Sequence, residues 1–149
     1  RHGTHRIRHP SGRVDGGRTG YGEGREQRCD LPAAPEAAGV ARRLVRDVLT
    51  DIGAGHVMDD AMLVMSELAT NAVRYGAAPI RATATVEGAH LILAVQDGRA
   101  SDLPYPKVLT ATEPNGRGMH LVAAMASRWG WDRSAHSKVV WAEIPLDRD

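Results

Sequence analysis

The feature that most constrains this chain is a carboxylate and a carboxamide four residues apart, Glu67 and Asn71, inside an apolar helical pattern. Positions i and i+4 stack on one helix face, so these two side chains project side by side, with Arg74 about one turn further on. A carboxylate beside a neutral oxygen ligand suits Mg²⁺, which takes one or two protein oxygens plus substrate phosphates. A surface helix with scattered polar residues explains the pair equally well. The apolar residues predict a separate core face. They are Ala61, Val64, Leu68 and Ala72.

Length and composition predict one globular domain. The chain has 149 residues, of which 42% are hydrophobic and 25% charged, and this length suffices for a proper core. It has no apolar run long enough to cross a bilayer and no segment typical of a signal peptide. Because Cys29 is the sole cysteine, no disulfide framework or thiolate zinc cluster is available within the chain. We therefore expect a cytoplasmic protein that is not bound to membranes.

Residues 1–28 are predicted to form a disordered basic tail. They contain seven Arg and three acidic residues, a net charge of +4, so the remaining residues carry −3 of the total of +1. With almost no large apolar side chain, the segment cannot offset its ordering entropy by burial. A basic tail can contact nucleic acid or an acidic partner, but we favour a solvated leader and expect no direct nucleic-acid binding. The folded domain is expected over residues 29–149.

Hydrophobic patterns predict helices first and strands afterwards. A short edge strand over Cys29–Leu31 precedes an amphipathic helix that ends at Gly53, and the helix with Glu67 and Asn71 follows over Met58–Tyr75. Alternating residues then predict four strands in two antiparallel pairs. The strands start near Ile80, His90, Trp129 and Val139. An α/β two-layer sandwich is therefore expected, with helices on one face of a mixed, mostly antiparallel sheet.

Two further elements accompany the Glu67/Asn71 pair. Gly116-Arg117-Gly118 runs into a predicted helix that starts with Met119, and a glycine-rich helix start is suited to bind phosphate, although an ordinary loop and cap has the same pattern. Asp97 ends a buried strand at Gly98, where a carboxylate can accept a hydrogen bond from a ligand amine or bond its own turn. Between them, residues 100–115 contain three prolines and are expected to form a lid or binding loop.

These motifs, in this order, resemble the N, G1 and G2 boxes of the GHKL ATPase superfamily, which includes gyrase and the histidine kinases. The segments Val64–Arg74 and Trp129–Leu146 resemble the corresponding segments of a small branch of this superfamily, the anti-sigma factor serine/threonine kinases and related actinobacterial ATP-binding regulators. The resemblance covers about Leu31–Leu146. It implies a Bergerat-type ATP-binding fold with ATP and Mg²⁺ as ligands.

The resemblance also implies a role for each motif residue. Asn71 would coordinate Mg²⁺ that bridges the phosphates, and Glu67 would be the general base. Asp97 would bind the adenine N6 amine. The remaining residues would lie near the phosphates. They are Arg74, Gly116, Gly118 and Met119.

The chain departs from the family pattern in three places. Arg99 stands where a small residue is usual, the lid is short, and Ser137-Lys138-Val139 replaces a Gly-Lys-Thr in which the Thr helps to bind adenine. Val139 offers only apolar contact. These departures affect the expected nucleotide affinity more than the expected chemistry.

The function implied is that of an anti-sigma-factor-like kinase. It would phosphorylate a serine or threonine of a STAS-type antagonist, sequester a sigma factor to regulate transcription, and act as a homodimer. One alternative is a regulator that binds ATP without kinase activity or does not use it. Another is a detached histidine-kinase catalytic domain, although His2, His5 and His9 lie in the tail and not on a helix.

Overall fold

The computed structural model describes residues 25–99 and 116–147 of the chain. The predicted tail up to residue 24 and the predicted lid over 100–115 lie outside the described residues. The strands are β1 (Arg25–Leu31), β2 (Ile80–Glu87), β3 (His90–Asp97), β4 (Arg128–Arg133) and β5 (Lys138–Pro145). The helices are α1 (Ala37–Ile52), α2 (Met58–Tyr75) and α3 (Gly116–Met125), with a 3₁₀ turn over Gly55–Val57.

The five described strands form one sheet in the order β1-β2-β3-β5-β4. Every neighbouring pair in it is antiparallel. A mixed, mostly antiparallel sheet was predicted, whereas the described strands include no parallel pair. The two predicted hairpins are confirmed. The second has a backbone hydrogen bond of 2.8 Å from Ser134 N to Ser137 O at its turn. An α/β two-layer fold is therefore confirmed.

The helices cover one face of this sheet. α1 packs on α2, and α2 also contacts α3, β3 and β5. Inward-facing residues of the central strands build the core against the helices. They include Leu91, Leu93, Val95, Val140, Ala142 and Ile144. The predicted apolar face of α2 is confirmed, since Ala61, Val64, Leu68 and Ala72 are all buried. α1 ends as predicted at Gly53, whose φ of 72° lies in the left-handed region that favours glycine.

Strand β1 begins at Arg25, four residues before the predicted start at Cys29. Its first four side chains are exposed and polar, so their composition resembles that of a tail. Backbone pairing holds them instead, because Arg25 is registered with Val86 and Leu31 with Ile80 of β2. Arg25 also forms an ion pair with Asp51 at the end of α1. The predicted start was wrong because it was judged from the burial of side chains, whereas these residues are held by backbone hydrogen bonds between strands.

The sheet face away from the helices carries a second buried group. Ile92, Ala94 and Trp141 alternate with the core residues of β3 and β5 and are 3%, 5% and 0% exposed. The guanidinium carbon of Arg128 lies 5.4 Å from the centre of the Trp141 ring, and Arg128 also pairs with Glu143 at 3.7 Å. A cation over an indole face is favourable and shields the ring from water.

Candidate nucleotide site

The centre of the candidate site is the polar residue pair of α2. Asn71 is buried, with 4% of its surface exposed, whereas Glu67 one turn earlier is partly exposed. Both lie within the continuous helix Met58–Tyr75, so the helical repeat places them on one face as predicted. The helix places a buried carboxamide next to a carboxylate that solvent can reach.

The side chain of Asn71 has an unsatisfied polar atom. Its Nδ2 is buried and has no hydrogen-bond partner. Buried polar groups nearly always have partners, and an unpaired one costs free energy, so this nitrogen is available to a bound ligand or water. A half-turn of the carboxamide exchanges the donor for the acceptor oxygen. Asn71 therefore fits a ligand that binds through either atom.

Among the residues that the structure describes, no three His, Cys, Asp or Glu side chains are grouped as in a protein-built metal site. Mg²⁺ needs no such group, because it usually retains waters and binds through one or two protein oxygens and substrate phosphates. The carboxamide of Asn71 fits Mg²⁺ that is bound together with a nucleotide, and neither it nor the nearby Glu67 makes the ligand set of a structural zinc ion.

Asp97 lies at the end of β3 in a network of donors to a single oxygen. Its Oδ1 accepts hydrogen bonds from the backbone N–H of Arg99 at 2.7 Å and of Ala77 at 3.4 Å. It also accepts one at 3.1 Å from Lys138 Nζ, which donates a further bond of 2.6 Å to Arg99 O. The network joins the segment after α2, the end of β3 and the start of β5. Asp97 is thus oriented by protein donors, in a turn that includes its own backbone.

Two glycines let the backbone approach this network. A Cβ built at Gly76 would lie 2.5 Å from Asp97 Oδ2 and 2.7 Å from Ala72 O, and one at Gly98 would lie 2.6 Å from Ala78 O. Real Cβ atoms do not approach other atoms so closely. The end of α2 therefore packs directly on the carboxylate because residue 76 has no side chain.

Lys138 is the residue of the network that the sequence analysis did not select. It is 1% exposed, and its neighbours Val140 and Ala142 on alternate positions belong to the core. Val139, which replaces the Thr of the family pattern, is on the opposite face of β5 by the same alternation. The signal available in the sequence was the alternation of Lys138 with apolar residues in a strand.

The remaining predicted residues are placed as follows. α3 starts at Gly116, so Gly116 and Gly118 lie in its first turn, where backbone N–H groups lack helical acceptors. Met119 is 2% exposed and belongs to the hydrophobic core. Its side chain therefore supports the helix, and its contribution to a phosphate site is limited to the backbone. Arg74 is exposed in the last turn of α2.

The fold is a two-layer α/β domain in which Asn71, Asp97 and Lys138 lie toward the ends of α2, β3 and β5. A model of the histidine kinase-like ATPase domain family matches residues 31–144. The chain belongs to the histidine kinase-like ATPase domain family, as its motifs predicted. No curated protein matches the chain in sequence.

Solved structures of other proteins have a similar fold, and two of them align as follows. The RsbU and RsbW domains of Rv1364c from Mycobacterium tuberculosis align with a TM-score of 0.63 and 23% identity, over 84% of this chain and 33% of that one. This chain thus spans a third of the length of that relative. The histidine kinase AdeS of Acinetobacter baumannii aligns with a TM-score of 0.52 and 12% identity, over 83% and 70% of the two chains. At these identities the likeness establishes the fold. In the part of the chain that the structure describes, no helix is long and apolar enough to span a membrane.

Proposed function

We propose that this chain is an ATP-binding regulator that transfers phosphate from ATP to a serine or threonine of a STAS-type antagonist, and that it sequesters a sigma factor. The observation that supports this best is the buried Asn71 with its unpaired Nδ2, beside the accessible Glu67. Family membership supports the ATP part of the proposal. The likeness to a structure that contains an RsbW domain supports the regulatory part.

Each residue of the site has a distinct role in the proposal. Asn71 holds Mg²⁺, and Asp97 accepts a hydrogen bond from the exocyclic amine of adenine. When bound, Mg²⁺ neutralises charge on the ATP phosphates. Glu67 accepts the proton of the attacking hydroxyl, which requires a carboxylate that solvent and substrate can reach. Catalysis of phosphoryl transfer depends mainly on positioning and charge stabilisation, for which a rigid helix is well suited.

The phosphates would be bound by the N-terminal turn of α3 and by Arg74. Free N–H groups and the positive end of the helix dipole favour an anion at Gly116 and Gly118. Arg74 lies in the last turn of α2, one turn beyond Asn71, and adds positive charge there. Met119 fixes the helix by its burial in the core.

The proposed partners are a sigma factor, its STAS-type antagonist and a second copy of this chain in a cytoplasmic homodimer. Light scattering across a concentration series tests the dimer, and a strict monomer at the highest concentration would contradict it. A pull-down with mass spectrometry identifies candidate antagonists for the transfer assay.

The deciding experiment is transfer of labelled phosphate from ATP to the purified antagonist. The expected product is an acid-stable phosphoserine or phosphothreonine, formed in the presence of Mg²⁺. Binding of ATP without transfer would favour the regulator that lacks kinase activity. An acid-labile phosphohistidine on a partner would favour the detached histidine-kinase domain. Absence of ATP binding would contradict the proposal altogether.

A further inference from the structure

We propose that Lys138 is the positioning residue of the base site, and that it makes Asp97 selective for a purine with a 6-amino group. The inference rests on the proposed nucleotide site and adds a residue that acts there through Asp97. Lys138 and Asp97 form a buried ion pair, in which Lys138 Nζ lies 3.1 Å from Asp97 Oδ1 and the two residues are 1% and 0% exposed.

The pair links the end of strand β3 to the start of strand β5. Asp97 is the last residue of β3 and Lys138 the first of β5, and the two are register partners. Because a lysine ammonium has three donors on a flexible stem, it can bind the carboxylate and a backbone carbonyl together. Lys138 does so through Asp97 Oδ1 and Arg99 O, at 3.1 and 2.6 Å.

These contacts fix the rotation of the carboxylate. Oδ1 is held by Lys138 Nζ together with two backbone N–H groups, and Oδ2 consequently lies against Gly76. The ammonium also pairs with the carboxylate inside the protein, where both side chains are excluded from solvent. A carboxylate that is held in one rotation accepts a hydrogen bond in one defined direction. Selectivity for a purine amine requires such an acceptor.

Arg99 connects the pair to the end of α2. Its guanidinium Nη1 donates to Tyr75 O at 3.4 Å, while Gly98 N donates to Ala77 O at 2.6 Å. Lys138 thus holds the backbone carbonyl of Arg99, a residue whose side chain reaches the end of α2. Loss of the ammonium is expected to loosen the base site without any change at Asn71 or Glu67.

The test compares binding of ATP with that of purine riboside triphosphate, which lacks the 6-amino group, both with Mg²⁺ and measured by calorimetry. The parent protein is expected to prefer ATP. Lys138→Met should lower that preference by about tenfold, the size expected when one charge-assisted hydrogen bond is lost. Arg133→Met is the matched control, because Arg133 is the exposed register partner of Lys138 on β4. It should retain the parental preference.

A second set of variants separates positioning from a general structural role. Asp97→Asn should lower the preference as well, and adding Lys138→Met to it should cause little further change, since Lys138 acts through Asp97. Lys138→Gln, which removes the charge and shortens the side chain by one bond, serves if Lys138→Met does not fold, and the same lowered preference is expected of it.

Three outcomes would overturn the inference. A folded Lys138→Met or Lys138→Gln protein with the parental preference would show that Lys138 does not orient Asp97 toward the base. An equal loss of affinity for both nucleotides would show a merely structural role. A parent protein that binds ATP without preferring it would refute this inference and leave the proposed function standing, whereas a parent that binds neither nucleotide would refute both.

Discussion

Lys138 and Asp97 form an ion pair across the first and last residues of adjacent strands, with Nζ and Oδ1 3.1 Å apart and both side chains buried. The two residues are 41 positions apart in the chain and directly opposite in the sheet. The pair lies at the edge of the sheet where β3 ends and β5 begins. The ion pair therefore contributes to the stability of the folded protein and also belongs to the candidate site.

Removal of one member of this pair is expected to destabilise the protein more than removal of both. Lys138→Met leaves a buried carboxylate without its cation, which costs roughly 3–5 kcal/mol of unfolding free energy. The double variant Asp97→Asn/Lys138→Met removes both charges and retains an acceptor for Arg99 N, so its loss should be smaller. Chemical denaturation of the two single variants and the double variant measures the coupling.

The control for this cycle is an exposed ion pair of the same sheet. Arg81 and Asp30 are 3.2 Å apart with side chains 50% and 82% exposed. Arg81→Met should lose no more than about 1 kcal/mol, because solvent screens the pair. Equal losses for Lys138→Met and Arg81→Met would contradict the importance of burial.

Gly76→Ala should disturb the candidate site through a steric clash. Its Cβ would lie 2.5 Å from Asp97 Oδ2 and 2.7 Å from a backbone carbonyl, which cannot move freely. Forced shifts of this kind cost about 1–3 kcal/mol, and ATP affinity should fall with stability. Gly55→Ala is the matched control, because its Cβ meets nothing within 4 Å. Similar melting temperatures for the two variants would show that residue 76 can accept a side chain.

Most of the fold could be predicted because its elements follow from local periodicity. The bounds of α2 and the two hairpins are confirmed, since apolar spacing and flanking glycines determine them. Strand β1 could not be bounded correctly, because Arg25 to Arg28 are held by pairing with residues more than 50 positions away. Local composition carries no information on such pairing.

The candidate site was predicted less completely than the fold. Asn71 and Asp97 are buried polar residues, and their types and spacing identified them. Lys138 was missed because a lysine is ordinarily solvated, and its burial depends on a carboxylate from another strand. Met119 was assigned to the phosphates by resemblance, whereas packing of α3 places its side chain in the core.

The thiol of Cys29 should react slowly with alkylating agents in the folded protein. Burial, and secondarily the charge of Asp30, raise the pKa of Cys29 above the usual value of a thiol. A raised pKa leaves less of the reactive thiolate at pH 7–8, so the rate with iodoacetamide should be lower than in urea and should increase with pH. Asp30→Asn should accelerate the reaction, whereas Asp47→Asn on the exposed face of α1 should not. A folded-state rate equal to that in urea would contradict this account.

Asn71→Ala should abolish Mg²⁺-dependent ATP binding and preserve the fold. The truncation removes an Nδ2 that has no hydrogen-bond partner, so little stability depends on the carboxamide. Calorimetry with Mg·ATP and a thermal melt measure the two effects separately. Thr70→Ala, the adjacent and partly exposed residue of α2, is the control and should bind normally. Unchanged affinity in Asn71→Ala would place the metal and phosphates elsewhere.

Glu67→Ala should separate binding from phosphoryl transfer. Glu67 is partly exposed one turn before Asn71, so it can reach a substrate hydroxyl without being needed to hold the nucleotide. Mg·ATP affinity should stay near the parental value or rise, since a negative charge near the phosphates is removed. Single-turnover transfer to the antagonist should fall by about 10²–10⁴-fold, the usual contribution of a positioned base. Asp60→Ala removes an exposed carboxylate from the first turn of the same helix and should leave transfer unchanged.

If Glu67→Ala transfers phosphate at the parental rate, the general-base role is wrong and a regulator without kinase activity becomes the better description. If Glu67→Ala instead loses both ATP binding and phosphoryl transfer and melts at a lower temperature, Glu67 stabilises α2.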